Sequence, residues 1–229
     1  MKQHKLISYL AGLASLSITA SASAISIDFT TANLGVSGGD AYNSVSMSAG
    51  GIGVDVTAYT IENDGNGAIS SSTLISGAGL GVYVSSGDNL GVSSSASDGH
   101  DLDGGSSGST SDLDEGLLFS FDQIVSLDFI DLDRFGSSDD FNLTVDGLSM
   151  LVDFDSTSTS PFAAAQSSNT SKFDFFNITG QEFLFWADGG SDDFRIDSMA
   201  VSAVPEPGSI LLLGMGLIGL SFMRRAQTI

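Results

Sequence analysis

Two stretches of this sequence repeat a pattern able to hold a cation. Gly136-Ser137-Ser138-Asp139-Asp140-Phe141-Asn142-Leu143 is matched by Gly189-Gly190-Ser191-Asp192-Asp193-Phe194-Arg195-Ile196. Each places an Asp pair between a turn of small residues and the start of an alternating apolar run. Carboxylates gathered on loops are the ligands Ca²⁺ prefers, because the ion offsets their mutual repulsion. Asp139, Asp140, Asp192 and Asp193 are therefore the Ca²⁺ candidates. The simpler reading is that each Asp accepts hydrogen bonds from free turn amides. That reading is preferred, since no ligand spacing here is diagnostic. A third acidic loop holds Asp98, Asp101 and Asp103 beside Gly104-Gly105. As an EF-hand beginning at Asp101 it fails, with Gly105 at the fifth position and Asp112 where the twelfth should be Glu. His100, in the same loop, reads as solvated or as a turn hydrogen-bonder. No cofactor is required by any of these patterns.

Catalytic sets are harder to find. The chain has no Cys, which removes thiolate nucleophiles, disulfides and Cys-ligated zinc. Its two histidines are His4 and His100, and no Gly-x-Ser-x-Gly elbow occurs. Gly77-Ala78-Gly79-Leu80-Gly81 lacks the Lys and helix of a phosphate loop. A glycosidase-type acid/base pair needs one carboxyl raised in pKa by burial, whereas most Asp residues here fall in polar Gly/Ser loops. The expectation is a protein without catalytic activity. Phe183-Leu184-Phe185-Trp186 is an aromatic run: alternation sends Phe183 and Phe185 to one face, Leu184 and Trp186 to the other. Burial of Trp186 in a core is expected; on a solvated face it would instead stack on a sugar ring.

Charge narrows the partners. Of 229 residues, 28 are Asp or Glu and 7 are Lys or Arg; between residues 25 and 204 the count is 27 against three, a formal −24. Such a surface repels phosphate backbones, which excludes nucleic acid.

The elements that would position these residues are strands. Apolar and polar residues alternate at 25–29, 54–58, 80–84, 118–122 and 125–129. Phe141–Val145 and Leu148–Val152 flank Asp146-Gly147, the pair suited to a type I′ hairpin turn. Further strands are expected at Phe173–Ile178, Glu182–Trp186 and Phe194–Val204. The predicted fold is all-β, a jelly-roll-like β-sandwich ectodomain spanning residues 25–203. Ordered core is expected from about residue 115 onward, with the order of 33–111 left open by its serine and glycine content.

The two ends differ from the middle. Lys2, His4 and Lys5 precede an apolar stretch from Leu6 to Ala20, and Ala22-Ser23-Ala24 supplies a small-x-small cleavage pattern. Residues 1–24 thus read as a signal peptide, with Ala22 and Ala24 as the signal-peptidase site. At the other end, residues 204–229 contain Pro205-Glu206-Pro207, the apolar run Ile210–Met223 and Arg224-Arg225. As a helix, Gly208–Met223 would be about 24 Å long, short for a bilayer core of about 30 Å. Arg224 and Arg225 would act as the membrane stop on the cytoplasmic side.

This tail resembles a PEP-CTERM sorting signal: the Pro-Glu-Pro triplet, a helix punctuated by Gly214, Gly216 and Gly219, and a basic end. The resemblance implies recognition by an exosortase in the inner membrane, transient anchoring through the C-terminal apolar helix, and removal of the tail near the triplet. The logic parallels other cleaved C-terminal addresses. Delivery to the cell surface or the extracellular matrix of exopolysaccharide and biofilm is the implied destination. Val56-Thr57-Ala58-Tyr59, Leu90-Gly91-Val92, Asp98–Asp103 and Glu115–Asp122 together are similar to the ectodomain of one group of exosortase-dependent surface proteins. No catalytic residue carries over from that similarity. The expected function is an exported, non-enzymatic surface or matrix protein whose partners are signal peptidase, exosortase and extracellular polysaccharide. A carbohydrate-binding β-sandwich module, or less readily a glycan hydrolase, is the alternative.

Overall fold

Strands form where the alternation predicts them, and they run further than it indicates. The computed structural model describes residues 23–63, 68–105 and 113–205, and Ser23–Val204 fold as one compact unit. In chain order the elements are β1 (Ile25–Asp28), a single helical turn α1 (Thr31–Leu34), β2 (Asp40–Tyr42), β3 (Val45–Ala49), β4 (Ile52–Asn63), β5 (Ile69–Leu74), β6 (Gly81–Val84) and β7 (Leu90–Ser93). After these come β8 (Leu102–Asp103), β9 (Asp114–Asp133), β10 (Phe141–Val145), β11 (Leu148–Phe154), β12 (Ala163–Gln166), β13 (Asn169–Trp186) and β14 (Asp193–Ala203).

Hydrogen bonding joins these strands into one fourteen-stranded antiparallel sheet, with the main path β11-β10-β13-β9-β14-β7-β6-β2. Its spine is the pair β9 and β13. The first half of β9 pairs with β4, from Val54 opposite Phe121 to Ile61 opposite Asp114. The second half pairs with β14, from Ala203 opposite Val125 to Arg195 opposite Asp133. The two runs expected at 118–122 and 125–129 are therefore one strand. Exposed Asp122, Gln123 and Ile124 interrupt both the apolar alternation and the pairing, since the register with β13 jumps from Val125 opposite Gly180 to Ser120 opposite Glu182. Phe173–Ile178 and Glu182–Trp186 are likewise one strand, with register shifts between Asp174 and Ile178 and between Gly180 and Glu182. The Asp146-Gly147 hairpin forms as predicted, both residues at positive φ (49° and 79°) and Val145 opposite Leu148.

The segment 33–111, whose order the sequence left open, contributes seven strands. It buries Val45, Val54, Val56, Val82, Leu90 and Val92. Three of them find partners distant in sequence, Val54 and Val56 on β9 and Leu90 on β14, which a local reading cannot see.

Two faces follow from the register. On one, Ala58, Leu117, Phe185 and Leu143 form a row across β4, β9, β13 and β10, beside Val56, Phe119, Phe183 and Val145. All are buried. Phe135, Phe141 and Phe173 extend this core through edge-on contacts, such as Phe141 to Phe173 at 4.9 Å between centroids. On the opposite face the rows are Thr57, Leu118, Leu184 and Thr144, then Tyr59, Gly116, Trp186 and Asn142. Trp186 is fully buried there, and so cannot stack on a sugar in solvent. It packs against the face opposite the phenylalanine core, with Gly116 as its cross-strand neighbour.

Candidate functional site

The expected processing sites frame this unit. Ala24 is exposed and directly precedes β1, and Val204-Pro205 is exposed and directly follows β14. Among the described residues Val204 makes the last backbone bond, donating to the Ile124 carbonyl at 3.2 Å. Pro205 has no N–H with which to continue the ladder. β1 and β14 pair antiparallel with Ile25 opposite Val201, so chain enters and leaves at the same end of the sheet. Ala22, Glu206, Pro207, Arg224, Arg225 and the apolar run 210–223 lie outside the described residues. Among the described residues no helix is long and apolar enough to cross a membrane.

The acidic loop of Asp98, Asp101 and Asp103 divides in the folded chain. Asp101, nearly buried, is held by two arginines: Arg134 Nη1 at 2.7 and 3.0 Å, and Arg195 Nε at 2.5 Å. It is a structural ion pair and not a free ligand. Asp98 and Asp103 instead meet Glu115, with one carboxylate oxygen of each lying within 4.8 Å of the others. Asp98 accepts from the Ser94 amide (2.5 Å) and hydroxyl (3.1 Å), and Glu115 accepts from the Asp103 amide at 3.3 Å.

Burial pushes the Glu115 carboxyl up to about 8, with Asp98 and Asp103 adding to the shift and hydrogen bonds from Ser94 and Asp103 opposing it. Burial likewise raises Asp103 to about 6, helped by the charges of Asp98, Asp101 and Asp193 and opposed by Arg134. At neutral pH a proton on Glu115 therefore relieves the repulsion that a metal would otherwise have to offset. Glu115 was missed as a member of this group. Its signal was present, since it shares the odd-numbered alternation of Leu117, Phe119 and Phe121 and so had to face inward.

His100 departs from its expected solvated state. It sits in the left-handed region (φ 66°) and lies flat on Tyr83, with ring centroids 4.3 Å apart and planes 16° from parallel. Its backbone amide donates to Asp98 at 3.3 Å, the one part of the expectation that concerns turn hydrogen bonding. The Arg195 guanidinium also lies over the Tyr83 ring, 5.5 Å from its centroid.

The repeated Asp pairs behave as turn acceptors. Asp139 Oδ2 accepts from the Gly136 amide, and Asp192 Oδ2 from the Gly189 amide, each at 2.6 Å and with the same three-residue spacing. The structure brings Asp140 to Asp192, whose Oδ1 accepts from the Asp140 amide at 3.2 Å. Asp193 goes elsewhere, paired across strands with Asp103. Asp140 is raised to about 7, by burial first and then by Asp192, Asp153, Asp188 and Asp155. Asp114, which accepts from Gly105 at 2.8 Å, is raised to about 6, chiefly by burial. Asp139, Asp140 and Asp192 thus lie near one another, and Asp193 lies with Asp103.

A strongly acidic antiparallel β unit, with its chain entering and leaving at one end, is the class defined by fold and boundaries. The PEP-CTERM protein-sorting motif matches residues 203–225, from the last residue of β14 through the arginine pair. The chain carries that signal, which implies exosortase-dependent export and a surface or extracellular location. No curated protein and no solved structure matches the chain.

Proposed function

We propose that residues 25–204, within the compact unit Ser23–Val204, are the mature form of a non-catalytic surface or matrix protein, released from its tail by an exosortase. The observation that carries this is the position of the sorting motif, which begins where the β14 ladder ends. Pro205 lies at the first residue beyond that ladder, so an extended, helix-free backbone is presented to a peptidase. Facing layers are also part of the proposal. Phe29, which follows the β1 strand on β14, approaches Phe119 on the β4 side of β9 at 5.4 Å, as two halves of a sandwich would.

Intact mass of the exported protein, in cells with and without the exosortase, tests the reading. The expected result is a species beginning at Ile25 and ending near Pro205 in the first, and the tail retained in the second. Retention of residues 210–223 in both would overturn it. The alternative, a carbohydrate-binding module, is favoured by one observation: a cleft on the sheet face opposite the phenylalanine core.

A further inference from the structure

That cleft has a volume of about 470 Å³, within the range of about 300–1,000 Å³ usual for small-molecule sites. Its floor is the cross-strand pair Leu118 and Leu184. One wall comes from β5 and β4, with Ile69, Ser72 and the Tyr59 ring; the other comes from β10 and β11, with Thr144 and Ser149. These walls belong to opposite ends of the strand series β5-β4-β9-β13-β10-β11, so the sheet face between them is concave. Asp146 and Glu182 also line it, with Ala68 and Gly147. Asp146 is fixed in place, because its Oδ1 accepts from the Gln181 and Glu182 amides at 3.0 and 2.9 Å.

We infer that this cleft binds a neutral saccharide. A sugar ring presents apolar C–H faces and a rim of hydroxyls, and the cleft supplies the complement of each. Leu118, Leu184 and Tyr59 offer apolar surface for the ring faces. Ser72, Thr144 and Ser149 offer hydroxyls that both donate and accept, and carboxylates are strong acceptors for sugar hydroxyls. Anionic ligands are excluded, since two carboxylates and no Lys, Arg or His line the cleft of a chain already carrying a large negative charge. A quaternary or polyamine cation would suit the charge but not the walls, which hold one aromatic ring rather than a cage. The carboxyls raised in pKa, including Glu115 and Asp140, are not among the lining residues. The inference concerns the folded unit and holds whether or not the tail is removed.

Calorimetric titration of the full chain, in a sugar-free detergent, with cellotetraose, maltotetraose, chitotetraose, tetragalacturonate and spermine tests it. Binding of at least one neutral tetrasaccharide is expected, with tetragalacturonate inert. Tyr59→Ala should weaken it at least tenfold, and Ser72→Trp, at an exposed position on the cleft wall, should abolish it by occlusion with the melting temperature preserved. Lack of binding by all three neutral sugars would overturn the inference. So would binding unaffected by Ser72→Trp, or binding of spermine alone.

Discussion

Glu115 lies on β9 in line with Leu117, Phe119 and Phe121, and its burial sets a definite pH dependence. A carboxyl raised from 4.5 to about 8 in the folded state keeps its proton there after the unfolded chain has released it. Between those values the folded state binds more protons, so rising pH favours unfolding. Its contribution is complete below about pH 4.5 and is lost as pH climbs toward 8. Asp103, Asp114 and Asp140, raised to about 6, 6 and 7, act in the same direction over narrower windows. The melting temperature should therefore fall between pH 5 and 8.5. Glu115→Gln, which keeps an acceptor for the Asp103 amide and removes the charge, should recover about 5 °C at pH 8.5 and change little at pH 5. Thermal melts of both proteins across that range check it, and a wild-type melting temperature that rises with pH would refute the assignment.

At the scale of elements, Gly116 illustrates what a strand must give up to pack on both faces. A Cβ there would lie 2.8 Å from Ile61 Cδ1, 2.9 Å from Trp186 Cβ and 3.0 Å from the Phe185 carbonyl oxygen. Gly116→Ala should cost about 1–3 kcal/mol by overpacking, read from denaturant unfolding. Adding Ile61→Val, which removes one of the three clashing atoms, should return part of that loss.

Legibility from sequence divides along similar lines. The Asp146-Gly147 hairpin was readable because the turn chemistry and both flanking alternations are local. The continuity of β13 was not: Phe173 and Phe175, then Ile178, then Phe183 and Phe185 are the inward residues, so the alternation changes phase twice. Asn177 in the left-handed region (φ 59°) marks one change, a bulge that keeps the ladder while shifting the side chains. A periodicity reading takes such a phase change for a strand end. The Asp turns were legible, since Asp139 and Asp192 accept from glycine amides at a fixed spacing. The cleft was not, because Leu118, Leu184 and Thr144 become neighbours only through register.

For the whole molecule, charge is the main liability. A formal −24 between residues 25 and 204 opposes compaction, and the described ion pairs, Arg134 and Arg195 with Asp101, converge on one carboxylate. Most carboxylates are left to repel one another through solvent, where the Debye length is about 10 Å at 0.1 M salt and about 3 Å at 1 M. Added NaCl should raise the melting temperature steeply below about 0.2 M and then level off. Divalent ions separate screening from ligation. The three grouped oxygens of Asp98, Asp103 and Glu115 are the best-placed ligands, but a metal there must displace the proton that Glu115 holds up to about pH 8. At pH 6.5, Ca²⁺ and Mg²⁺ at matched ionic strength should therefore stabilise alike. At pH 9, with Glu115 ionised, any selective Ca²⁺ increment should appear and should vanish in Glu115→Gln. Selective stabilisation at pH 6.5 that survives Glu115→Gln would place the ion elsewhere, with Asp140 and Asp192 the next pair to replace.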